Sequence, residues 1–294
     1  MDKSPIIAIV SDVSHDDLYS HMRKWSRHFR YFRDLEEQKE EKKRMYCLEH
    51  LKDPDNPETR LHSQFSEQNL VIKEEIGKGA FGCVFIAQHI SSYTKVAVKR
   101  MKNPKKEFQK YSLIMETRVH MISNHKNIVP LFEYYQTDKF FHIVMPYYAN
   151  GSLSAYMDKK GALNRIESAR IAFEILNALV FLHIKKVVHR DLKPQNLLIG
   201  NNGEIRLTDF GLAEFQKRIE GKCGTLNYMA PEVIKCQQQS YSVDVWSFGC
   251  IVFEILIGQY AFDDWLSGEE NLFCLLQMHV KIPTSAATLI SECL

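Results

Sequence analysis

The run His189-Arg190-Asp191-Leu192-Lys193-Pro194-Gln195-Asn196-Leu197-Leu198 constrains this 294-residue chain more than any other feature, because two further motifs follow it in order. They are Thr208-Asp209-Phe210-Gly211 and Ala230-Pro231-Glu232. Taken singly, an aspartate such as Asp191 or Asp209 reads as a turn or helix-capping residue. Chance alone does not assemble three such motifs, so these residues form one candidate constellation.

Composition leaves room for a two-lobed enzyme: 45% hydrophobic and 25% charged residues suit a globular chain of one or two domains. The 38 basic and 36 acidic residues nearly cancel, which argues against nucleic-acid binding or an acidic-substrate trap driven by bulk charge. Seven cysteines, an odd number with no CxxC pair, point to a reducing compartment, cytoplasmic or nuclear. No apolar stretch approaches the roughly 20 residues needed to span a bilayer, so a transmembrane segment is not expected.

Three regions separate along the chain. Residues 1–66 form an N-terminal extension, with a charged amphipathic helix over about 14–52 and a Pro/Asn/Ser-rich linker after it. Leu18, Met22, Trp25, Phe29 and Phe32 make one helical stripe, flanked by Arg23, Lys24, Arg27, Arg30 and Arg33. That stripe suits a coiled-coil partner, a calmodulin-like partner, a membrane surface, or packing on its own domain. In the body, strands are expected over Leu70–Ile76, Cys83–His89, Lys95–Lys102, Ile128–Tyr135 and Phe140–Met145. Helices are expected over Lys105–Asn124, Arg165–Ile184, Ser242–Ile257 and Glu269–Met278. The fold class is therefore α+β, a small β-rich lobe followed by a mostly helical one.

Between the first two strands lies Gly77-Lys78-Gly79-Ala80-Phe81-Gly82-Cys83-Val84, a GxGxxG run. Glycines admit positive φ and let backbone amides approach phosphate oxygens. The same spacing marks dinucleotide folds, but there a helix follows, whereas Cys83-Val-Phe-Ile-Ala favours a strand. Val96-Ala97-Val98-Lys99 then ends an apolar strand on a lysine, with Glu116 seventeen residues later on a helix. A lone strand-end lysine is usually a solvated charge; its companions argue otherwise.

Together these residues resemble the eukaryotic protein kinase superfamily: the VAVK lysine Lys99, Glu116 nine residues before His125-Lys-Asn-Ile-Val, and the three C-terminal motifs fall in that family's order. The DLKPQN word and Gly224-Thr225-Leu226-Asn227-Tyr228-Met229-Ala230 resemble its serine/threonine branch. The resemblance implies a two-lobed kinase-like fold over 67–294, with an N-lobe over about 67–145, a hinge at 146–150 and a C-lobe over 151–294. It implies transfer of the ATP γ-phosphate to protein Ser/Thr hydroxyls, with magnesium. On that pattern Asp191 would orient or deprotonate the acceptor hydroxyl, Lys193 would steady the γ-phosphate, and Asn196 with Asp209 would hold the metal. Lys99, its charge fixed by Glu116, would hold the α- and β-phosphates. Ile76, Gly77, Gly79, Gly82, Val84, Ala97, Met145, Tyr148 and Leu198 would surround the nucleotide. Thr225 would hydrogen-bond near Asp191, and Asp244 would orient the catalytic-loop backbone.

Three departures from the family pattern stand out. Leu212–Gly224 contains no serine, threonine or tyrosine, so Arg190 lacks the usual phosphate to pair with; either Glu220 supplies a standing negative charge or the loop needs no such anchor. His120 replaces an apolar residue four positions after Glu116. Cys83 and Cys223 flank the constellation and read as packing residues. The resemblance also implies a C-lobe cut short at Leu294, which would cost Glu232 its arginine partner at roughly 3–5 kcal/mol if the carboxylate is buried. That truncation is what favours the alternative, a nucleotide-binding pseudokinase or regulatory scaffold.

Overall fold

The computed structural model describes residues 65–79, 82–103, 107–215, 219–262 and 293. They fall into two compact units. The smaller holds the described residues up to Asn103 together with Leu131–Met145, and the larger holds those of Pro104–Pro130 and from Pro146 onward.

In the smaller unit, β-branched and aromatic runs alternating with polar residues build one five-stranded sheet. Its strands are β1 (Leu70–Gly79), β2 (Gly82–His89), β3 (Lys95–Lys102), β4 (Glu133–Gln136) and β5 (Phe140–Pro146), in the order β1-β2-β3-β5-β4. The two-residue side-chain period sorts β3 cleanly. Val96 and Val98 join Leu70, Ala87 and Val144 in a buried cluster, closed by Phe65, Ile72 and Tyr135. Ala97 and Lys99 therefore face the other way. Register pairs Gly77 with Val84 and Val84 with Lys99, so a row of three crosses β1, β2 and β3 on that second face.

The strand expected over Ile128–Tyr135 is shorter, because Pro130 has no N–H to give a ladder. Pairing starts at Glu133, and Ile128 instead bridges Leu207 within the larger unit.

The larger unit is mainly helical: α1 (Glu107–Ile122), α2 (Leu153–Lys160), α3 (Arg165–Ile184), α4 (Pro231–Ile234) and α5 (Ser242–Ile257). Short strand pairs join β6 (Val187–Val188) to β9 (Glu214–Phe215) and β7 (Leu197–Ile199) to β8 (Ile205–Leu207). Helix α3 starts on an Asn164 N-cap, whose side chain accepts the Glu167 N–H at 3.0 Å. Its Ile171, Ile175, Leu179 and Leu182, spaced by three and four, are fully buried, and the helix packs against α5 and β8. Helix α5 is apolar nearly all round, and within it Asp244 is a fully buried carboxylate. Such a group persists only where hydrogen bonds satisfy it. The helices expected over 14–52 and Glu269–Met278 lie outside the described residues.

Candidate active site

The chain from α3 back toward β7 is held by Asp244. Its Oδ2 accepts the His189 N–H at 2.9 Å and the His183 Nε2–H at 2.8 Å, and its Oδ1 accepts the Arg190 N–H at 2.9 Å. Burial alone would push this carboxyl up, but the His183 bond, helped by His189, holds it below the usual aspartate range. Asp244 thus fixes the backbone immediately before Asp191, as expected. Nothing local in the sequence marks His183, at the end of α3, as the partner of a residue 61 positions away.

Backbone strain marks the same loop: Arg190 and Asp209 have φ of 70° and 66°, in the left-handed region that side chains disfavour. The fully buried His189 ring spans the two. Its Nδ1 accepts the Asp191 N–H at 3.3 Å, and its Nε2 lies 3.1 Å from the Thr208 carbonyl.

Around Asp191 the polar atoms close a triangle. Lys193 Nζ lies 2.8 Å from Asp191 Oδ2 and donates to Thr225 Oγ at 2.7 Å, while the Thr225 hydroxyl donates to Asp191 Oδ1 at 2.9 Å. Asn196 Nδ2 donates to the Asp191 carbonyl at 2.9 Å and to its Oδ2 at 3.2 Å. The amino end of that amide being used, its oxygen end is left to act as a hard ligand. Asp209 follows Thr208, whose N–H donates to the Asn196 carbonyl at 2.9 Å, so both expected metal ligands are tied into one loop system. The Gly211 N–H reaches Asp209 Oδ1 at 3.4 Å.

Phe210 is almost fully buried, its ring centroid 5.3 Å from His120 and 5.5 Å from His189. His120 packs as an aromatic, 4% exposed, with Nε2 2.7 Å from the Val129 carbonyl. The polar ring is therefore accommodated in the packed interior. Glu116 is also buried, in α1.

In the smaller unit, Lys99 is 7% exposed and shares its sheet face with Ala97 and Val84; Met145 is buried at the end of β5, and Ile76 is exposed. A lysine buried that deeply must meet compensating groups. Gly77 and Gly79 lie within β1 and do not use the positive φ that glycine admits. Gly82 differs: its φ is 152°, and a Cβ there would run into the Arg100 carbonyl. Tyr148 and Leu198 belong to the larger unit. Leu198 pairs with Arg206, whose guanidinium sits 5.8 Å over the half-buried Tyr148 ring.

Two expectations need correction. Arg190 does not turn to the Glu220 carboxylate, which is exposed; its Nη2 donates to the backbone carbonyls of Glu220 and Gly221 at 3.3 and 3.4 Å. Glu232 is half-buried rather than buried, and accepts the Ser242 hydroxyl at 3.0 Å, so no stripped buried charge arises there. Burial pushes the Cys223 thiol up, with Arg190 opposing it, which fits a packing residue.

Gly224 makes the triangle depend on the preceding segment. Its φ is 104°, and a Cβ would lie 2.7 Å from the Arg190 carbonyl. Gly224→Ala is expected to cost roughly 1–2 kcal/mol from φ alone and to push Thr225 away from Asp191. Thermal melting and turnover measured together check this, both falling. Thr225→Val, which keeps the shape and removes the hydroxyl, should lower kcat by about tenfold or more and leave KM for ATP within about twofold.

The family model described as the protein kinase domain matches residues 70–294. Aurora kinase C of Mus musculus is 32% identical over 246 residues, covering 81% of this chain and 89% of the mouse protein. Aurora kinase of Saccharomyces cerevisiae is 30% identical over 238 residues, 79% of this chain and 64% of its own. Aurora kinase of Dictyostelium discoideum is 35% identical over 215 residues, 71% of this chain and 56% of its own. The chain thus spans most of the mouse relative and under two thirds of the other two.

Proposed function

From the premise that this chain belongs to the protein kinase family and is a protein serine/threonine kinase, we propose that its chemistry is carried by Asp191, Lys193 and Thr225. The observation behind this is the triangle of 2.7–2.9 Å contacts that locks these three side chains together. Phosphoryl transfer demands alignment and charge neutralisation more than covalent chemistry. Asp191 presents a carboxylate, 11% exposed and fixed in aim by Thr225, that orients the acceptor hydroxyl and takes up its proton. Lys193 keeps its ammonium beside that carboxylate, where it meets the charge spreading over the γ-phosphate.

ATP is the phosphoryl donor of the family. Lys99 and Glu116 are assigned to nucleotide holding, with Ile76, Gly77, Gly79, Gly82, Val84, Ala97, Met145, Tyr148 and Leu198 as the nucleotide's surroundings. Magnesium, when bound, supplies charge neutralisation on the phosphate oxygens. Asn196 and Asp209 fit it, since two hard oxygen donors suffice for an ion that keeps water and phosphate as its other ligands. No helix among the described residues is long and apolar enough to cross a membrane. Five described cysteines are free thiols, which supports residence in the cytoplasm or nucleus. The scaffold alternative gains no support from the relatives, each named a kinase.

Incubating the full chain with γ-labelled ATP and a generic basic protein, followed by acid hydrolysis, tests the reading. Labelled phosphoserine and phosphothreonine are expected. Label confined to phosphotyrosine would contradict it.

A further inference from the structure

Thr225 reaches Asp191 only if the chain leading up to it is fixed, yet Leu212–Gly224 offers no hydroxyl to carry a phosphate. The next two hydroxyls are already engaged. Thr225 bonds Asp191 and Lys193, and the buried Tyr228 OH donates to Glu254 at 2.6 Å. A phosphate on Thr225 would set a dianion against the Asp191 carboxylate. Something other than a phosphate must hold this segment.

We infer that Gln239 is the positioning residue that fixes the Ile219–Gly221 backbone, so that Thr225 meets Asp191 without any phosphate on the segment; this rests on the kinase reading above. Gln239 lies between α4 and α5 and is 3% exposed. Its backbone N–H donates to the Ile219 carbonyl at 2.9 Å and its side-chain Nε2 to the Gly221 carbonyl at 2.7 Å. The Ile219 side chain is sunk among Val188, Ala230, Val233 and Val243, which anchors the near end.

The Gly221 carbonyl is the junction. It accepts the short bond from Gln239 and a long one, 3.4 Å, from Arg190, the residue before Asp191. Contacts of 3.3 and 3.4 Å from Arg190 are too long to hold the strand unaided, so the 2.7 Å amide bond sets its position. Three residues on, Gly224 lies against the Arg190 carbonyl, and Thr225 follows. A shift at Gly221 is thereby carried to the Thr225 hydroxyl. Because a carboxamide is neutral, this clamp does not depend on phosphorylation.

The test compares full-length wild type, Gln239→Ala and Gln239→Met, each before and after phosphatase treatment, by kcat, KM for ATP and melting temperature. Methionine fills the amide's volume but cannot donate. Wild-type turnover should survive phosphatase within about twofold, while both variants lose about tenfold in kcat with KM for ATP unchanged. Gln239→Met at wild-type turnover would overturn the inference, because it would reduce Gln239 to packing. So would a loss matched by the fraction of variant unfolded at the assay temperature, or wild-type activity abolished by phosphatase. Equal turnover by wild type and Asp191→Asn in the same assay would instead strike at the kinase reading.

Discussion

Asp191→Asn is expected to lower kcat by about a thousandfold while leaving KM for ATP within about threefold, the size of effect that a positioned general base contributes. Asparagine has the same shape, so the loop should keep its path. What changes is chemistry: the amide takes up no proton, and the Lys193 ammonium, 2.8 Å away, loses its counter-charge. The Thr225 hydroxyl can still donate to an amide oxygen, which keeps the fold of the segment out of the comparison. Circular dichroism and nucleotide binding should match wild type. A variant that retained more than about a tenth of wild-type turnover would remove Asp191 from its proposed role.

The second large effect is on stability. Asp244→Asn turns one of two acceptor oxygens into a donor facing N–H groups, inside a site closed to water. Breaking one partner of a buried charged network costs roughly 3–5 kcal/mol, a large share of the 5–15 kcal/mol that holds a typical domain. A fall in melting temperature large enough to lower soluble yield is expected. The pH dependence has a definite sign. The folded carboxyl is held below its unfolded value, so its stabilisation is present above the unfolded value of about 3.9 and is lost as pH falls below it. Wild type should therefore lose melting temperature steeply below about pH 4, and Asp244→Asn much less so. Parallel curves would mean that Asp244 is not the group responsible.

The fold was largely legible because both periods are clean. Val96 and Val98 against Ala97 and Lys99 declare a strand with two faces, and Ile171, Ile175, Leu179 and Leu182 declare a helix with one. The strand start at Glu133 was misplaced because apolar Ile128 and Val129 outweighed the lost donor of Pro130. Roles near Asp191, the Thr225 contact among them, were legible only through the resemblance; nothing local in the sequence ties Thr225 to an aspartate 34 residues earlier. Arg190 was misassigned to the Glu220 carboxylate because charge is visible in a sequence, whereas backbone carbonyls belong to every residue and mark none. Gln239 was invisible for a related reason. A glutamine in the run Gln237-Gln238-Gln239 reads as a solvated loop until the fold buries one of the three.

The claim that Asp191 works as Thr225 holds it is tested most directly by a double-mutant cycle on phosphoryl transfer. If the hydroxyl acts through the carboxylate, Thr225→Val should cost about tenfold in the wild-type background and less than about twofold in Asp191→Asn. Equal fold-losses in both backgrounds would contradict the account, because they would show two residues contributing independently.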